Sequence, residues 1–517
     1  MAKVLFVNPV IREEDDPRHV PYGMALLAPI LMKEGHLVQV YDANAWRAGD
    51  GVLAQILRAD RWDVIGIGGI TTAYRSIKQI VGMAKEVAPQ ALVVAGGGFL
   101  TSMPRDIMRF LPQIDVGVVG EAFVSFPEVL RRLDAGHPAW GEVKGIAWRD
   151  PGGRVIVNPE QPLLEDIDSL PYPAWDLFPL EVYFKNSMAL FSEEGMLARR
   201  RLDINASYGC SLICRYCFHL GIAGDMEMVE GADGERDVAF GYKREIRYHS
   251  PRYVVDLVKH ARDRFGVDFI GFLDENMMTM HQFSGKKWLT EISQLWIEAG
   301  LQPRCVRDNV PHDPDRCAGV HWGGTSHATL VSEDLLHTIK KAGCSHLVYG
   351  YETFSPRVMK TIGKGATPET NERSLRWTMA AGIRPIPNQI IGFPDEDFDS
   401  LRDNVTAWNR LSLQVKPFFA TPYPGTEWYY KYKPRILEQY DGDLEAFLLD
   451  VGDATRITAN ICRKFSAVEL YGLRELMVHR DQRRLDRYEA EWNRLHGIDA
   501  ARAAGPRPVL PARAPRV

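Results

Sequence analysis

The sequence predicts an α/β protein in which a doubly wound, Rossmann-like parallel sheet precedes a partial (β/α)6 barrel and a mostly helical C-terminal region. Two series of short apolar runs alternate with amphipathic, helix-length segments, and a proline-rich stretch separates the two series. The 517 residues suffice for several domains, and 45% hydrophobic with 25% charged residues is ordinary globular composition. A net charge of -5 argues against a general basic surface for nucleic acid or anionic membranes.

The first series predicts a parallel sheet that is covered by helices on both faces. Its near-continuous apolar runs are Val4–Val7, Leu37–Tyr41, Val64–Ile70, Leu92–Ala95 and Val116–Val119. Ligands of such sheets bind at the carboxyl ends of the strands, where this chain has glycine- and hydroxyl-rich loops. We therefore expect ligand contacts from Gly69, Thr71, Thr72, Gly97, Gly98, Gly120 and Glu121. A dinucleotide fold is disfavoured because Thr71 breaks the Gly-x-Gly-x-x-Gly pattern, whereas a sheet that only packs on the barrel stays open.

Changes in composition along the chain predict the domain boundaries. We expect a ligand-binding domain over 1–140, a proline-rich connector over 141–195, a barrel over 196–426, and a helical region over 427–517 that ends in a disordered tail, 500–517. The barrel strands are predicted at Leu202–Ser207, Phe269–Leu273, Thr325–Leu330, His346–Tyr351, Pro385–Ile391 and Gln414–Ala420. Six such units favour a partial barrel over a full eightfold one.

Three of the seven cysteines lie close together directly after the first barrel strand. Cys210, Cys214 and Cys217 form a Cys-x3-Cys-x2-Cys loop. Three thiolates can bind three irons of a [4Fe–4S] cluster and leave the fourth iron open for another ligand. The alternatives are a zinc site, for which His219 lies too near the loop to be a comfortable fourth ligand, and buried cysteines without a ligand. Seven cysteines, none of them before Cys210, are too few for a disulfide framework.

The cysteine loop, with Tyr216 before the third cysteine, resembles the cluster-binding motif of the radical S-adenosylmethionine (SAM) superfamily. Further segments resemble family motifs in the same order, namely Arg247–Pro251, Phe272–Asn276, Gly350–Thr353, Ile391–Glu396 and Pro422–Thr426. Upstream segments resemble the cobalamin-binding domain that precedes the barrel in one large subclass, namely Pro21–Gly23, Gly35–His36 and Leu170–Asp176. The resemblance covers roughly residues 1 to 430.

This resemblance implies three cofactors and the residues that bind them. The [4Fe–4S] cluster ligands would be Cys210, Cys214 and Cys217. The SAM contacts would come from Tyr216, Asp274 and Glu352. Cobalamin would be contacted by the glycine, threonine and glutamate residues of the three sheet loops. Because no Asp-x-His-x-x-Gly motif occurs between residues 1 and 150, we expect no histidine ligand on cobalt.

The implied activity is that of a cobalamin-dependent radical SAM methyltransferase that acts on an unactivated carbon of a small molecule. In this family one SAM yields a 5'-deoxyadenosyl radical, and a second SAM supplies the methyl group through cobalamin. The nearest alternative is a cyclase, ring-rearranging or oxidising enzyme with the same cofactors. Methylthiolation of transfer RNA is disfavoured because no cysteine precedes Cys210, and a cobalamin carrier or sensor would not explain the cysteine loop.

The expected partners are a small-molecule substrate and an external one-electron reductant such as flavodoxin or ferredoxin, with neither nucleic acid nor a membrane. Because the chain has no uninterrupted apolar stretch of about 18 residues and no leader-like N-terminus, we expect a cytoplasmic protein. The pattern leaves the catalytic residues and the identity of the substrate open.

Several features remain outside this assignment. Cys305 and Cys317 flank a loop rich in proline and aspartate, and they either bind a second cluster or are inert, the second being the expectation. Cys344 is expected to pack between a helix and a strand. Aromatic residues of the C-terminal region either line a substrate pocket or serve packing, namely Trp428, Tyr429, Tyr430, Tyr432, Tyr440, Tyr471 and Trp492. We expect this region to close the gap between the sheet and the barrel.

Overall fold

The computed structural model of this chain describes residues 1–136, 138–186, 192–217, 226–231, 234–241 and 245–498. The predicted tail, 500–517, lies outside the described residues. The first part alternates strands and helices as the apolar pattern predicts, in the order β1 (Lys3–Asn8), α1 (Tyr22–Lys33), β2 (Leu37–Asp42), α2 (Ala43–Trp46), α3 (Asp50–Ala59), β3 (Val64–Gly68), α4 (Tyr74–Val87), β4 (Leu92–Gly96), α5 (Gly98–Thr101), α6 (Pro104–Phe110), β5 (Val116–Val118) and α7 (Ala122–Asp134).

The N-terminal sheet is larger than the sequence predicts, because β6 (Ile146–Arg149) and β7 (Val155–Val157) extend it. Its order is β2-β1-β3-β4-β5-β6-β7. Strands β1 to β5 pair in parallel, whereas β6 pairs antiparallel with both β5 and β7. Both added strands lie in the segment predicted as a connector. The Pro151–Gly153 run that suggested a connector is only a turn, and the β-branched residues beside it form a hairpin.

The second part of the chain contains the predicted partial barrel. Its elements are α8 (Leu180–Lys185), α9 (Glu193–Met196), β8 (Arg201–Ile204), β9 (Ser207–Tyr208), β10 (Met226–Glu230), β11 (Arg236–Phe240), β12 (Arg247–Tyr248), α10 (Pro251–Phe265), β13 (Phe269–Phe272), α11 (Met277–Phe283), α12 (Trp288–Glu298), α13 (Arg304–Asp308), β14 (His321–Ser326), α14 (Glu333–Lys341), β15 (Cys344–Glu352), α15 (Pro356–Thr361), α16 (Pro368–Ala380), β16 (Arg384–Ile391), α17 (Phe398–Leu411) and β17 (Phe418–Phe419). Six strands form one parallel sheet in the order β17-β16-β15-β14-β13-β8. The predicted α/β fold class is therefore confirmed.

The hairpin β10–β11 is an element that the sequence reasoning missed. It lies between the cysteine loop and β12, and its strands pair antiparallel from Met226 to Phe240. Glu235 of the hairpin pairs with Arg105 of the N-terminal domain, and the Tyr430 hydroxyl donates to the carbonyl of Val238 at 3.4 Å. The hairpin therefore contacts both the N-terminal domain and the C-terminal region.

The C-terminal region is helical, as predicted, and it packs on both domains. Its helices are α18 (Glu427–Gln439), α19 (Leu444–Asp450), α20 (Ala467–Val478) and α21 (Gln482–Leu495). Helix α19 contacts the N-terminal sheet's helix α4, where Glu445 accepts hydrogen bonds from the Tyr74 hydroxyl at 2.7 Å and from Lys78 at 2.6 Å. Helix α21 packs against α17 of the barrel. No helix in the described part of the chain combines the length and apolar character needed to cross a bilayer.

Candidate cofactor site between the sheet and the barrel

The cysteine loop follows β8 and β9 and is held by neighbouring segments on several sides. The backbone N–H of Gly209 donates to the Glu275 carboxylate at 2.8 Å. The Ser211 and Thr279 hydroxyls lie 3.1 Å apart. The Arg215 N–H donates to the carbonyl of Ile362 at 3.2 Å, and the Arg215 carbonyl accepts from the Trp428 N–H at 3.2 Å. These bonds fix the backbone of the loop that carries the three thiols.

Two of the three loop thiols are buried, and the ammonium group of Lys364 can offset the negative charge of the neighbouring thiolates. Cys210 and Cys214 are only 8% and 6% exposed. Burial, with a smaller contribution from Cys214, raises the pKa of the Cys210 thiol to about 11. Burial alone would lower the pKa of Lys364, but attraction by Glu352 and by the Cys214 and Cys217 thiolates raises that pKa above its ordinary value. A permanent cation beside these thiols favours their binding as thiolates to a metal cluster.

Lys364 joins two of the three predicted SAM contacts. Its ammonium group donates to the Tyr216 hydroxyl and to Glu352 Oε1, each at 3.1 Å. The sequence reasoning missed this residue. The signal was a lysine between two glycines, Gly363 and Gly365, directly after a short helix.

The Glu352 carboxylate occupies space that only glycine at position 350 leaves free. A Cβ atom on Gly350 would lie 2.2 Å from Glu352 Oε1 and 2.8 Å from Lys364 Nζ. Glu352 itself has a φ of 59°, and the register of β15 against β16 shifts between Gly350 and Glu352. This bulge with left-handed backbone turns the carboxylate toward Lys364, and such strain is typical of functional sites.

The carboxylate of the third predicted SAM contact, Asp274, accepts hydrogen bonds from residues that directly follow β8, the first barrel strand. One oxygen accepts from the Ala206 N–H at 3.1 Å, and the other accepts from the Ser207 hydroxyl. Burial raises the pKa of Asp274 to about 6, although these hydrogen bonds act in the opposite direction. Asp274 therefore positions the start of the cysteine loop, whereas Tyr216 and Glu352 meet through Lys364.

The loops predicted to bind cobalamin converge at the carboxyl edge of the N-terminal sheet. The Gly69 N–H donates to the Gly96 carbonyl at 3.2 Å, and the Phe99 N–H donates to the Gly69 carbonyl at 3.3 Å. The hydroxyl oxygens of Thr71 and Thr72 are buried and have no hydrogen-bond partner among the described residues. Unpaired buried hydroxyls are costly, and a ligand with many polar groups, such as cobalamin, would satisfy them. The residues of this edge therefore fit such a ligand.

Two further predicted cobalamin contacts, Gly120 and Glu121, follow β5 at the same edge of the sheet. Gly120 has a φ of 83°, and no atom of the described residues lies within 4 Å of the position that a Cβ would take there. The Glu121 carboxylate pairs with Arg247 of the barrel. The guanidinium also donates to the carbonyl of Leu164 at 2.8 Å. The Glu121 carboxylate thus forms an ion pair between the two domains.

The carboxyl edge of the N-terminal sheet faces the strand end that carries the cysteine loop. His19, which follows β1, lies 2.5 Å from the Asp203 carboxylate of β8. The Tyr22 hydroxyl donates to the carbonyl of Asn205 at 3.5 Å, and the ring centroids of Phe123 and Tyr208 are 6.2 Å apart. The two predicted cofactor-binding edges are therefore neighbours across the domain boundary.

We expect Arg247→Ala to lower the free energy of unfolding by roughly 3–5 kcal/mol, because it leaves the Glu121 carboxylate buried without its partner. The side chains of Arg247 and Glu121 are only 11% and 12% exposed. The matched control is Arg264→Ala, since Arg264 pairs with Asp176 but both side chains are 54% exposed. That change should cost about 0–1 kcal/mol. Urea unfolding of both variants checks this, and equal effects would contradict it.

Two family models match the chain on either side of its connector. The B12 binding domain matches residues 10–130, and the Radical SAM superfamily matches residues 204–406. The first range covers most of the N-terminal sheet with its ligand loops. The second covers the cysteine loop and the barrel strands β13, β14, β15 and β16.

Characterised and uncharacterised proteins resemble the chain over both parts. It is 26% identical over 419 residues to an uncharacterised methyltransferase of Pyrococcus horikoshii, which covers 81% of this chain and 79% of the relative. It is 25% identical over 410 residues to the anaerobic magnesium-protoporphyrin IX monomethyl ester cyclase of Rubrivivax gelatinosus, with 78% and 64% covered.

A similar fold occurs in the radical SAM methyltransferase TsrM of Kitasatospora setae, which was solved with tryptophan and a SAM analogue bound. The TM-score is 0.62 at 19% identity, and the match covers 85% of this chain and 76% of that chain. The B12 binding domain, the radical SAM domain and the partial barrel occur here in one chain. The chain therefore contains a B12 binding domain followed by a domain of the Radical SAM superfamily, and the cofactors that these two domains imply are a [4Fe–4S] cluster, SAM and cobalamin.

Proposed function

We propose that this enzyme transfers a methyl group to an unactivated carbon of a small-molecule substrate bound between the sheet and the barrel. The observation that carries the proposal is the approach of the two carboxyl edges at His19–Asp203 and Tyr22–Asn205. A substrate held there can reach groups bound at both edges, and such positioning is a major source of catalysis.

Each cofactor would be held by residues already described. When bound, the cluster with SAM supplies a hydrogen-abstracting radical, and cobalamin supplies a transferable methyl group. The cluster ligands in this proposal are Cys210, Cys214 and Cys217. The SAM contacts are Tyr216, Asp274 and Glu352. Lys364 keeps the Glu352 carboxylate in one orientation and offsets the negative charge of the thiolates. An external one-electron donor, such as flavodoxin or ferredoxin, completes the system.

The cobalamin contacts in this proposal come from the three loops at the sheet edge, namely Gly69, Thr71, Thr72, Gly97, Gly98, Gly120 and Glu121. Support comes from the buried hydroxyls of Thr71 and Thr72, which have no hydrogen-bond partner in the part of the chain that the structure describes. The proposed domains are 1–140 for cobalamin, 141–195 for the connector, 196–426 for the barrel and 427–517 for the C-terminal region. The β6–β7 hairpin of the connector completes the cobalamin domain's sheet.

Methyl transfer is tested with SAM that carries a trideuterated methyl group. The reconstituted enzyme, reduced anaerobically, is incubated with this SAM and a small-molecule extract of the source cells. We expect 5'-deoxyadenosine together with an extract component that gains the deuterated methyl group, and neither with the Cys210→Ala variant.

The similarity to the anaerobic cyclase favours a second candidate, a ring-forming or oxidising reaction without methyl transfer. That reaction would consume SAM and change an extract component without incorporating deuterium. Such a result would contradict the methyltransferase proposal and leave the cofactor assignment intact.

We expect cobalamin to bind with no histidine on cobalt. In the described part of the cobalamin domain the histidines are His19 and His36. His36 accepts the Ala2 N–H at 3.1 Å at the opposite, amino edge of the sheet, and His19 contacts Asp203. Electron paramagnetic resonance of the cobalt(II) state should lack nitrogen splitting from an imidazole. Splitting that disappears in His19→Ala would contradict this expectation.

A further inference from the structure

A second cluster of metal-binding side chains lies far from the cysteine loop. Cys305 in α13, His312 and Cys317 in the following loop, and His321 at the start of β14 bring their ligand atoms within 4.8 Å of one another. Cys305 Sγ lies 3.3 Å from His321 Nε2 and 3.6 Å from His312 Nδ1. Cys317 Sγ lies 4.0 Å from His321 Nε2.

We propose that these four residues bind a structural zinc ion. Zinc is held tetrahedrally at about 2.3 Å from sulfur and about 2.0–2.1 Å from nitrogen, so its ligand atoms are roughly 3.3–3.8 Å apart. The three sulfur–nitrogen distances lie in or close to that range. Two thiols and two imidazoles form a closed structural donor set with no position left for a substrate.

The two sulfur atoms lie 2.8 Å apart. That distance is too long for a disulfide, whose bond is about 2.05 Å. It is shorter than the spacing around zinc, so the two thiols would separate by about 1 Å on binding the ion. A two-iron cluster is excluded by the same compactness, because it would place the thiolate pair and the imidazole pair on different irons.

Neighbouring groups orient the four ligands. His321 Nδ1 lies 3.3 Å from the Gly343 carbonyl. Because a carbonyl only accepts, Nδ1 carries the proton and Nε2 presents its lone pair to the thiols. The Cys305 N–H donates to Cys317 Sγ at 3.2 Å. Cys305 and His321 are 6% and 4% exposed, whereas His312 and Cys317 are half-buried, which leaves the ion a route of entry.

The proposed zinc lies at the end of the barrel opposite the cysteine loop. In the sheet, Phe269 pairs with both His321 and Arg201, so His321 is level with the amino end of β8. The cysteine loop follows the carboxyl end of that strand. Groups at the amino face of such barrels serve stability, and zinc here would fasten the 305–321 loop to β14.

The proposal is tested by counting metals in the full-length protein. The enzyme is purified with zinc supplied, dialysed against a mild chelator, and measured for zinc and iron by mass spectrometry. We expect about one zinc per chain. His312→Ala and Cys317→Ser should each lose zinc by roughly tenfold or more, with no loss of iron. Cys344→Ala, which removes a buried thiol outside the cluster, should keep the zinc.

Cobalt(II) supplies a readout on the unaltered chain. Bound in place of zinc, it should give the intense visible absorption of tetrahedral thiolate coordination, and zinc should displace that signal. The proposal is overturned if the supplemented protein holds no zinc, if zinc is unchanged in both variants, or if Cys305 and Cys317 are found as a disulfide. Because the iron count is read in parallel, failure here is distinguishable from failure of the proposed function.

Discussion

Alanine in place of any one of Cys210, Cys214 and Cys217 is expected to abolish SAM cleavage. Each change removes one of the three thiolates available to the cluster, and two thiolates do not retain it. The anaerobically reconstituted parent should carry about four irons per chain, and the variants should lose most of that iron. Formation of 5'-deoxyadenosine should fall below detection in all three variants.

The matched control is Cys344→Ala, which also removes a fully buried thiol. It should retain iron and SAM cleavage, because Cys344 is the first residue of β15, where it pairs with Trp322 of β14 and its thiol donates to the His346 carbonyl at 3.7 Å. Near-normal iron together with 5'-deoxyadenosine formation in any of the three loop variants would overturn the assignment of the cluster.

Much of the fold could be predicted because buried parallel strands leave continuous apolar runs. The five N-terminal runs all became strands, and Val64 and Ile65 in β3 are fully buried. Strand β14 was placed too late because Gly323 and Gly324 have low strand propensity, and the pairing of β14 with β13 and β15 overrides that preference. The hairpin β10–β11 was missed because its alternating polar pattern is short and its contacts come from distant parts of the chain.

The candidate site was only partly predictable, for a physical reason. Short motifs report residues that are close in sequence, as in the cysteine loop and the glycine-rich sheet loops. Lys364 reaches Glu352 and Tyr216 through tertiary structure, and His312 and His321 meet two cysteines only because α13 packs beside β14. The sequence analysis expected Cys305 and Cys317 to be inert because it did not connect them with His312, which lies between them, and His321, which follows them.

Gly97→Ala is expected to remove cobalamin binding while the barrel keeps its cluster. The φ and ψ of Gly97 are 93° and -175°, a conformation that is essentially confined to glycine and that costs other residues about 1–3 kcal/mol. A Cβ atom would also lie 2.5 Å from the Gly69 carbonyl oxygen and 2.9 Å from the Gly69 nitrogen. Relief of that clash requires both predicted cobalamin loops to move. Cobalamin retained after gel filtration, measured by its absorption, should fall by roughly tenfold or more, given about 1.4 kcal/mol for each factor of ten.

A second glycine in the same domain separates this effect from a general loss of stability. Gly82 lies within α4, and among the residues described none has an atom within 4 Å of its Cβ position. Gly82→Ala should therefore stabilise the helix by about 0.5–1 kcal/mol and leave cobalamin bound. In Gly97→Ala the iron content and 5'-deoxyadenosine formation should persist, because Cys210, Cys214 and Cys217 lie in the other domain. Labelled methyl transfer should stop, since the radical would then form without a methyl donor at the facing edge. Stoichiometric cobalamin in Gly97→Ala would place the cobalamin site away from the contact of the 69–72 and 97–98 loops.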